Sequence, residues 1–155
     1  MVFYCNGCSK NTILTQRQKN IFVSSEGDDS NPGTITKPWK TLERVNQHSF
    51  SAGDTIFFSN NSNFSGGLVI SDSGTKGSPI VLTSYGNGHA PRFNNPDINI
   101  LNGNMVQIRG DYIIVDGFYF HDGVSVTKED TINARRIGAV YITPGADHNI
   151  IKNCE

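Results

Sequence analysis

The sequence predicts an all-β fold, and three observations carry that expectation. Gly, Asn, Ser and Thr are abundant while charge is sparse and balanced, with 13 basic and 14 acidic side chains among 155 residues; this is the composition of a turn-rich β protein. From Thr55 onward, apolar and polar residues alternate at period two, which sends successive side chains to opposite faces of a strand. The chain also repeats itself. When MVQIRGDYIIVDGF is set beside AVYITPGADHNIIKNC, Val106 and Ile108 fall on Val140 and Ile142, and past a short insertion Ile114 to Phe118 fall on Ile150 to Cys154. A period of about three dozen residues is that of a repeat architecture.

Taken in order, residues 1–20 read as a polar tether. Their start, MVFYCNGCSKN, resembles the tail of a bacterial lipoprotein signal, with small Gly7 before Cys8 and Ser9 after it. That makes Cys8 a candidate lipidation site, although Cys5 and Asn6 depart from the usual lipobox. A frayed terminus with two free thiols is the alternative. Three cysteines do not form a disulfide framework, and Cys5 and Cys8 have no second ligand pair spaced to make a zinc site. No stretch approaches a transmembrane span, and no basic face implies nucleic acid.

A strand is expected at Ile21 to Ser25, then a long loop through EGDDSNPGTITKP, whose Gly and Pro residues set turn angles. The one helix is expected in KPWKTLERVNQ, starting at Pro38, with Trp39, Leu42 and Val45 on one face and no strong N-cap. Short strands follow at TIFF, GGLVIS, PIVLTS, MVQIRG and YIIVDGFYF. No further helical pattern separates them, which excludes a βαβ sheet and leaves a sandwich, a barrel or a solenoid. DYIIVDGFYF reads either as a hairpin or as one rung of a repeating structure, and the internal repeat favours the rung. Gly117 aligns with Asn153, and these are the two residue types that most readily adopt the left-handed conformation of a tight bend. VSVTKEDTINARRIG, from Val124 to Gly138, reads as a projecting loop.

Gly27, Asp28, Asn31, Pro32, Gly33, Thr34, Pro38, Thr41 and Leu42, followed by Gly53-Asp54-Thr55-Ile56, resemble the N-terminal part of right-handed parallel β-helix proteins. These form the pectate-lyase-like superfamily of secreted bacterial polysaccharide-active proteins. The resemblance implies that residues 21–155 are the N-terminal cap and first coils of such a solenoid, with the helix as its cap. The chain stops at NIIKNCE, just after a turn position, so a truncated β-helix is the expectation. The resemblance further implies an exported or cell-surface protein whose partner is a polysaccharide. It also implies one of two chemistries: elimination on a uronate polymer, which needs a base and a cation to neutralise the carboxylate, or hydrolysis, which needs a carboxylate pair. A non-catalytic adhesin or carbohydrate binder is the other reading.

The catalytic candidates are His121, Lys128, Arg135 and Arg136, which lie after a strand or in the projecting loop. Tyr119, Asp122, Arg135 and Arg136 are the substrate-binding candidates: the two arginines suit a carboxylate, and alternation leaves Tyr119 exposed between inward Phe118 and Phe120. For each the plainer reading is a solvated loop or, for His121, a turn histidine. Asp28, Asp29 and Asn31 offer several oxygens in one loop and are the candidates for Ca2+, against the plainer reading of turn chemistry. Asp111 and Asp116 sit beside turn glycines, which accounts for them without catalysis.

Overall fold

The computed structural model describes residues 19–97, 99–122 and 138–155. Eleven strands and one short α-helix are described: β1 (Asn20–Val23), α1 (Leu42–Asn46), β2 (Thr55–Ser59), β3 (Asn63–Ser65), β4 (Leu68–Ile70), β5 (Ile80–Tyr85), β6 (Arg92–Asn94), β7 (Val106–Ile108), β8 (Ile113–Asp116), β9 (Tyr119–Phe120), β10 (Val140–Ile142) and β11 (Ile150–Lys152). They form three sheets, ordered β1-β2-β5-β8-β11, β3-β6-β9 and β10-β7-β4. All eight pairings are parallel. From β2 onward the chain visits the three sheets in turn, so each strand pairs with the strand three places later.

This circuit resolves the repeat read in the sequence. Val106 pairs with Val140 and Ile108 with Ile142, while Ile114, Val115 and Asp116 pair with Ile150, Ile151 and Lys152. Gly117 (φ 79°) and Asn153 (φ 51°) make the same left-handed bend one circuit apart. DYIIVDGFYF is therefore no hairpin, because β8 and β9 belong to different sheets. The same register removes a sandwich, in which Val106 and Val140 would lie on different sheets.

Parallel stacking lines up like residues inside. Ile21, Ile56, Leu82 and Val115 form one column that continues in register to exposed Ile151, Leu68, Val106 and Val140 a second, and Phe64, Phe93 and Phe120 a third. Each fully buried side chain of this size contributes about 1.5–3 kcal/mol. Other rings pack against the aromatic column: the Phe93 ring lies 4.6 Å from Phe118 and 5.2 Å from Phe58.

The expected helix is corrected in two respects. It starts at Leu42 rather than Pro38, and it has a cap, since Thr41 is extended and its hydroxyl accepts from the Arg44 N–H at 3.1 Å. Trp39 lies outside the helix and bridges in parallel to Val23 on the free edge of β1. Pro38 disfavours a helical residue before it, and Asp29 holds the next stretch extended by accepting from the Lys40 and Thr41 N–H groups. Leu42 and Val45 are buried, and the Asn46 amide donates to Gly67 O and accepts from Val69 N, both at 2.8 Å. A side chain thus satisfies one backbone group on β4, the edge strand of its sheet, and one just before it. At the opposite end β11 exposes Ile150 (50 %) and Ile151 (38 %).

Candidate functional site

The sheet β3-β6-β9 has short strands whose successive residues face opposite ways. Phe64 and Phe93 point into the core, while Asn63, Arg92 and Tyr119 form a column in register on the outer face. The column continues to Glu155, whose N–H donates to Phe118 O and whose C=O accepts from Phe120 N. Sequence alternation found Tyr119, which is 37 % exposed, but not its neighbours.

On this face the Arg92 guanidinium carbon lies 5.4 Å from the centre of the Tyr119 ring. Such a contact holds the guanidinium plane in place and contributes about 0.5–1 kcal/mol at an exposed site. Beside it opens a cleft of about 190 Å³ lined by His89, Ala90, Arg92, Tyr119 and Glu155. A second cleft, of about 230 Å³, shares His89 and Arg92 and adds Asn61 and Asn63. Together they make one shallow groove, open to solvent, with an aromatic face, a cation, an imidazole and amides. Among the described residues no carboxylate lies within ion-pair distance of Arg92.

The wall carrying His89 is built from two stacked corners. Asn61 takes a left-handed conformation (φ 61°), its amide donates to Asn87 O at 3.0 Å, and its amide oxygen accepts from the His89 N–H at 3.0 Å. Gly88 (φ 111°) completes the corner, and a Cβ there would lie 2.2 Å from the Asn61 amide nitrogen. The His89 backbone is thus fixed at the groove, and its side chain is exposed there.

Of the residues singled out from the sequence, Tyr119, His121 and Asp122 are brought together. The His121 ring lies 5.8 Å from that of Tyr119, and its Nδ1 is 2.8 Å from a carboxylate oxygen of exposed Asp122. Lys128, Arg135, Arg136 and Cys8 fall outside the described residues. Asp28, Asn31 and Asp29 serve the capping loop. Asp28 accepts from the Ser30 N–H and hydroxyl at 2.8 and 2.7 Å, which holds its carboxyl below the usual value. The Asn31 amide donates to Pro38 O, and the Asn31 carbonyl accepts from the Trp39 indole. Burial raises the Asp29 carboxyl, but bonds from the Thr41 hydroxyl and the Thr41 and Lys40 N–H groups outweigh it and hold it low. Both Asp29 oxygens therefore already accept hydrogen bonds. Asp111 accepts from the Asp147 N–H at 2.7 Å, a bond between residues 36 apart in sequence rather than within one turn. Among the described residues no three His, Cys, Asp or Glu side chains are grouped to share a metal ion.

Arg92, His89 and Asn63 were not signalled in advance. Asn63 and Arg92 lie on strands three residues long, too short to display alternation, and His89 lies in the bend between β5 and β6. The usable signal was the central Phe of NFS and RFN, each flanked by polar residues and spaced as the circuit requires.

The family model described as Chondroitinase B matches residues 39–155. An uncharacterized protein of Bacillus subtilis strain 168, YwoF, is 28 % identical over 135 residues, covering 86 % of this chain and 27 % of that protein. Among solved structures, a GH136 lacto-N-biosidase from Eubacterium ramulus superposes with a TM-score of 0.64 at 22 % identity, covering 85 % of this chain and 26 % of that one. A rhamnogalacturonan lyase superposes with a TM-score of 0.64 at 21 % identity, covering 84 % and 34 %. The chain thus spans about a quarter to a third of the length of the proteins it matches.

Proposed function

The chain belongs to the chondroitinase B family of polysaccharide-active β-helix proteins, and from that membership we propose that it is part of an exported protein that binds and cleaves an acidic polysaccharide by β-elimination. Its circuits form the cap and first coils of a right-handed parallel β-helix, and Cys8 is the point of lipid attachment at the cell surface. One observation carries the reading: the outer face of β3-β6-β9 sets a guanidinium against an aromatic ring in an open groove. The ring face suits the apolar face of a sugar, and the guanidinium fork suits the carboxylate of a uronate.

Elimination removes the proton from the carbon beside the carboxylate, forms a carbon–carbon double bond, and expels the glycosidic oxygen with its electron pair. A cation on the carboxylate lowers the cost of the negative charge that develops there. Arg92 is our candidate for that contact on the described residues, and Arg135 and Arg136 for a further one. We place Lys128 and His121 as candidates for the base; Asp122 holds His121 through Nδ1 and its Nε2 is buried, so His121 would serve only once that nitrogen is uncovered.

The test is an assay of the full-length protein on pectate, alginate and glycosaminoglycans, following the ultraviolet absorbance of the unsaturated uronate. Growth of absorbance on one polymer is expected, and Arg92→Ala should reduce it. Binding without any product, unsaturated or reducing, would replace the lyase with a non-catalytic surface binder; saturated reducing ends alone would assign hydrolysis.

A further inference from the structure

The groove does not end at Asn63. On its far side a third cleft, of about 300 Å³, is bounded by Ser25, Lys40, Thr41 and Ser65, where the capping loop and the start of α1 meet β3. Asn63 lines this cleft and also the one that contains Arg92, just as Arg92 and His89 join that cleft to the one at Tyr119. The three openings therefore follow one another across the strands. Each strand-to-strand step is about 4.8 Å, close to the advance of one sugar unit in an extended chain.

We propose that the three clefts are one continuous groove for an anionic oligosaccharide, and that Lys40 supplies a second anion position on the cap side of Arg92. This rests on the reading of function above and extends it to the length of ligand the protein holds. Lys40 is exposed, and among the described residues no carboxylate lies within ion-pair distance of it. Its backbone is pinned, because its N–H donates to Asp29 Oδ1 at 2.8 Å and that oxygen also receives the Thr41 N–H at 2.9 Å. The ammonium thus starts from a fixed stem beside the cleft. A compact ammonium serves a single anionic oxygen in an exposed position, whereas the Arg92 fork serves a planar carboxylate. Between them Asn63 presents an amide able to donate to and accept from hydroxyl groups.

The experiment measures how strongly the full-length protein binds oligosaccharides of defined length, as KM where the ligand is cleaved and as Kd where it is not. Di- and hexasaccharides of galacturonate test carboxylates alone, and sulfated uronate–hexosamine oligosaccharides of the same lengths test sulfate. The hexasaccharide is expected to bind more tightly than the disaccharide. Lys40→Ala should weaken the hexasaccharide about tenfold, the size of one charge-assisted hydrogen bond, and leave the disaccharide unchanged. Lys40→Glu should weaken it further, with thermal unfolding unchanged in both variants because the side chain is exposed. The series that responds identifies the anion. Hexasaccharide binding indifferent to both substitutions, while Arg92→Ala weakens both lengths, would overturn the third cleft and leave the reading of function standing. Indifference to Arg92→Ala as well would remove both.

Discussion

The two faces of β3-β6-β9 are built from the same eight residues and do opposite work. Inside, Phe93 is fully buried and touches the rings of Phe58, Phe64, Phe118 and Phe120 at centroid distances of 4.6 to 6.0 Å. Outside, Asn63, Arg92 and Tyr119 meet one another at the edge of solvent. Stability scales with apolar area removed from water, so it resides on the inner face. Recognition needs accessible charge, amide and ring edge, and these are what the outer face offers. Because the alternation is strict, the two roles are separable by mutation one residue apart.

The strongest test of that separation is Phe93→Ala. Truncating a fully buried phenylalanine leaves a cavity in the aromatic column and is expected to cost about 3–5 kcal/mol, read as a shift in the denaturant midpoint. Its neighbour Arg92→Ala should change stability by no more than about 1 kcal/mol, the size of its contact with the Tyr119 ring, while lowering affinity for an acidic oligosaccharide about 10–100-fold. Arg92→Lys should recover only part of that loss, since it keeps the charge without the fork. Equal destabilisation by the two alanine variants would break the comparison.

The capping loop sharpens it, because there a polar residue is structural. Asp29 accepts three hydrogen bonds that hold Lys40 and Thr41 extended ahead of α1, and Asp29→Ala should cost about 1–2 kcal/mol. The folded carboxyl lies below its usual value. Its contribution is therefore complete above the unfolded value, about pH 3.9, and is lost as pH falls through the lower folded value. Wild type should lose part of its stability on acidification below that point, and Asp29→Ala should lose less. Equal acid sensitivity in the two proteins would take Asp29 out of the cap.

What could be read from the sequence follows the same division. The repeat was legible because stacked circuits require like residues in register, so Val106 over Val140 and Ile114 over Ile150 appear as periodic apolar identity. The bend at Gly117 and Asn153 was legible because few residue types take φ near +60°. The helix start was misplaced because Trp39 sits at helical spacing from Leu42 yet is held at the edge of β1 by a bridge to Val23, a tertiary contact with no local signal. Arg92 and Asn63 were invisible for a different reason. An outer-face residue on a three-residue strand has no pattern of its own, and only its stacking partner across the sheet shows that it belongs to an exposed column. Tyr119 was found because Phe118 and Phe120 bracket it.

The smallest expected effect comes from the outer face of the five-stranded sheet, where charge is present but unsupported by burial. Asp116 lies opposite Lys152 in register, with the ammonium 3.3 Å from one carboxylate oxygen and the Asn153 amide donating to the other at 2.7 Å. The Asn153 bond, aided by Lys152, holds the carboxyl below its usual value. Half of the Lys152 side chain is exposed, so water and salt screen the pair. Lys152→Ala should therefore cost at most about 1 kcal/mol, diminishing as salt is added and absent below the carboxyl's folded value, where Asp116 is neutral. A loss approaching that of Asp29→Ala would mean that outer-face charge helps to hold the circuits together. Recognition and stability would then no longer divide by face, and the Arg92 result would have to be corrected for unfolding before it could count as binding.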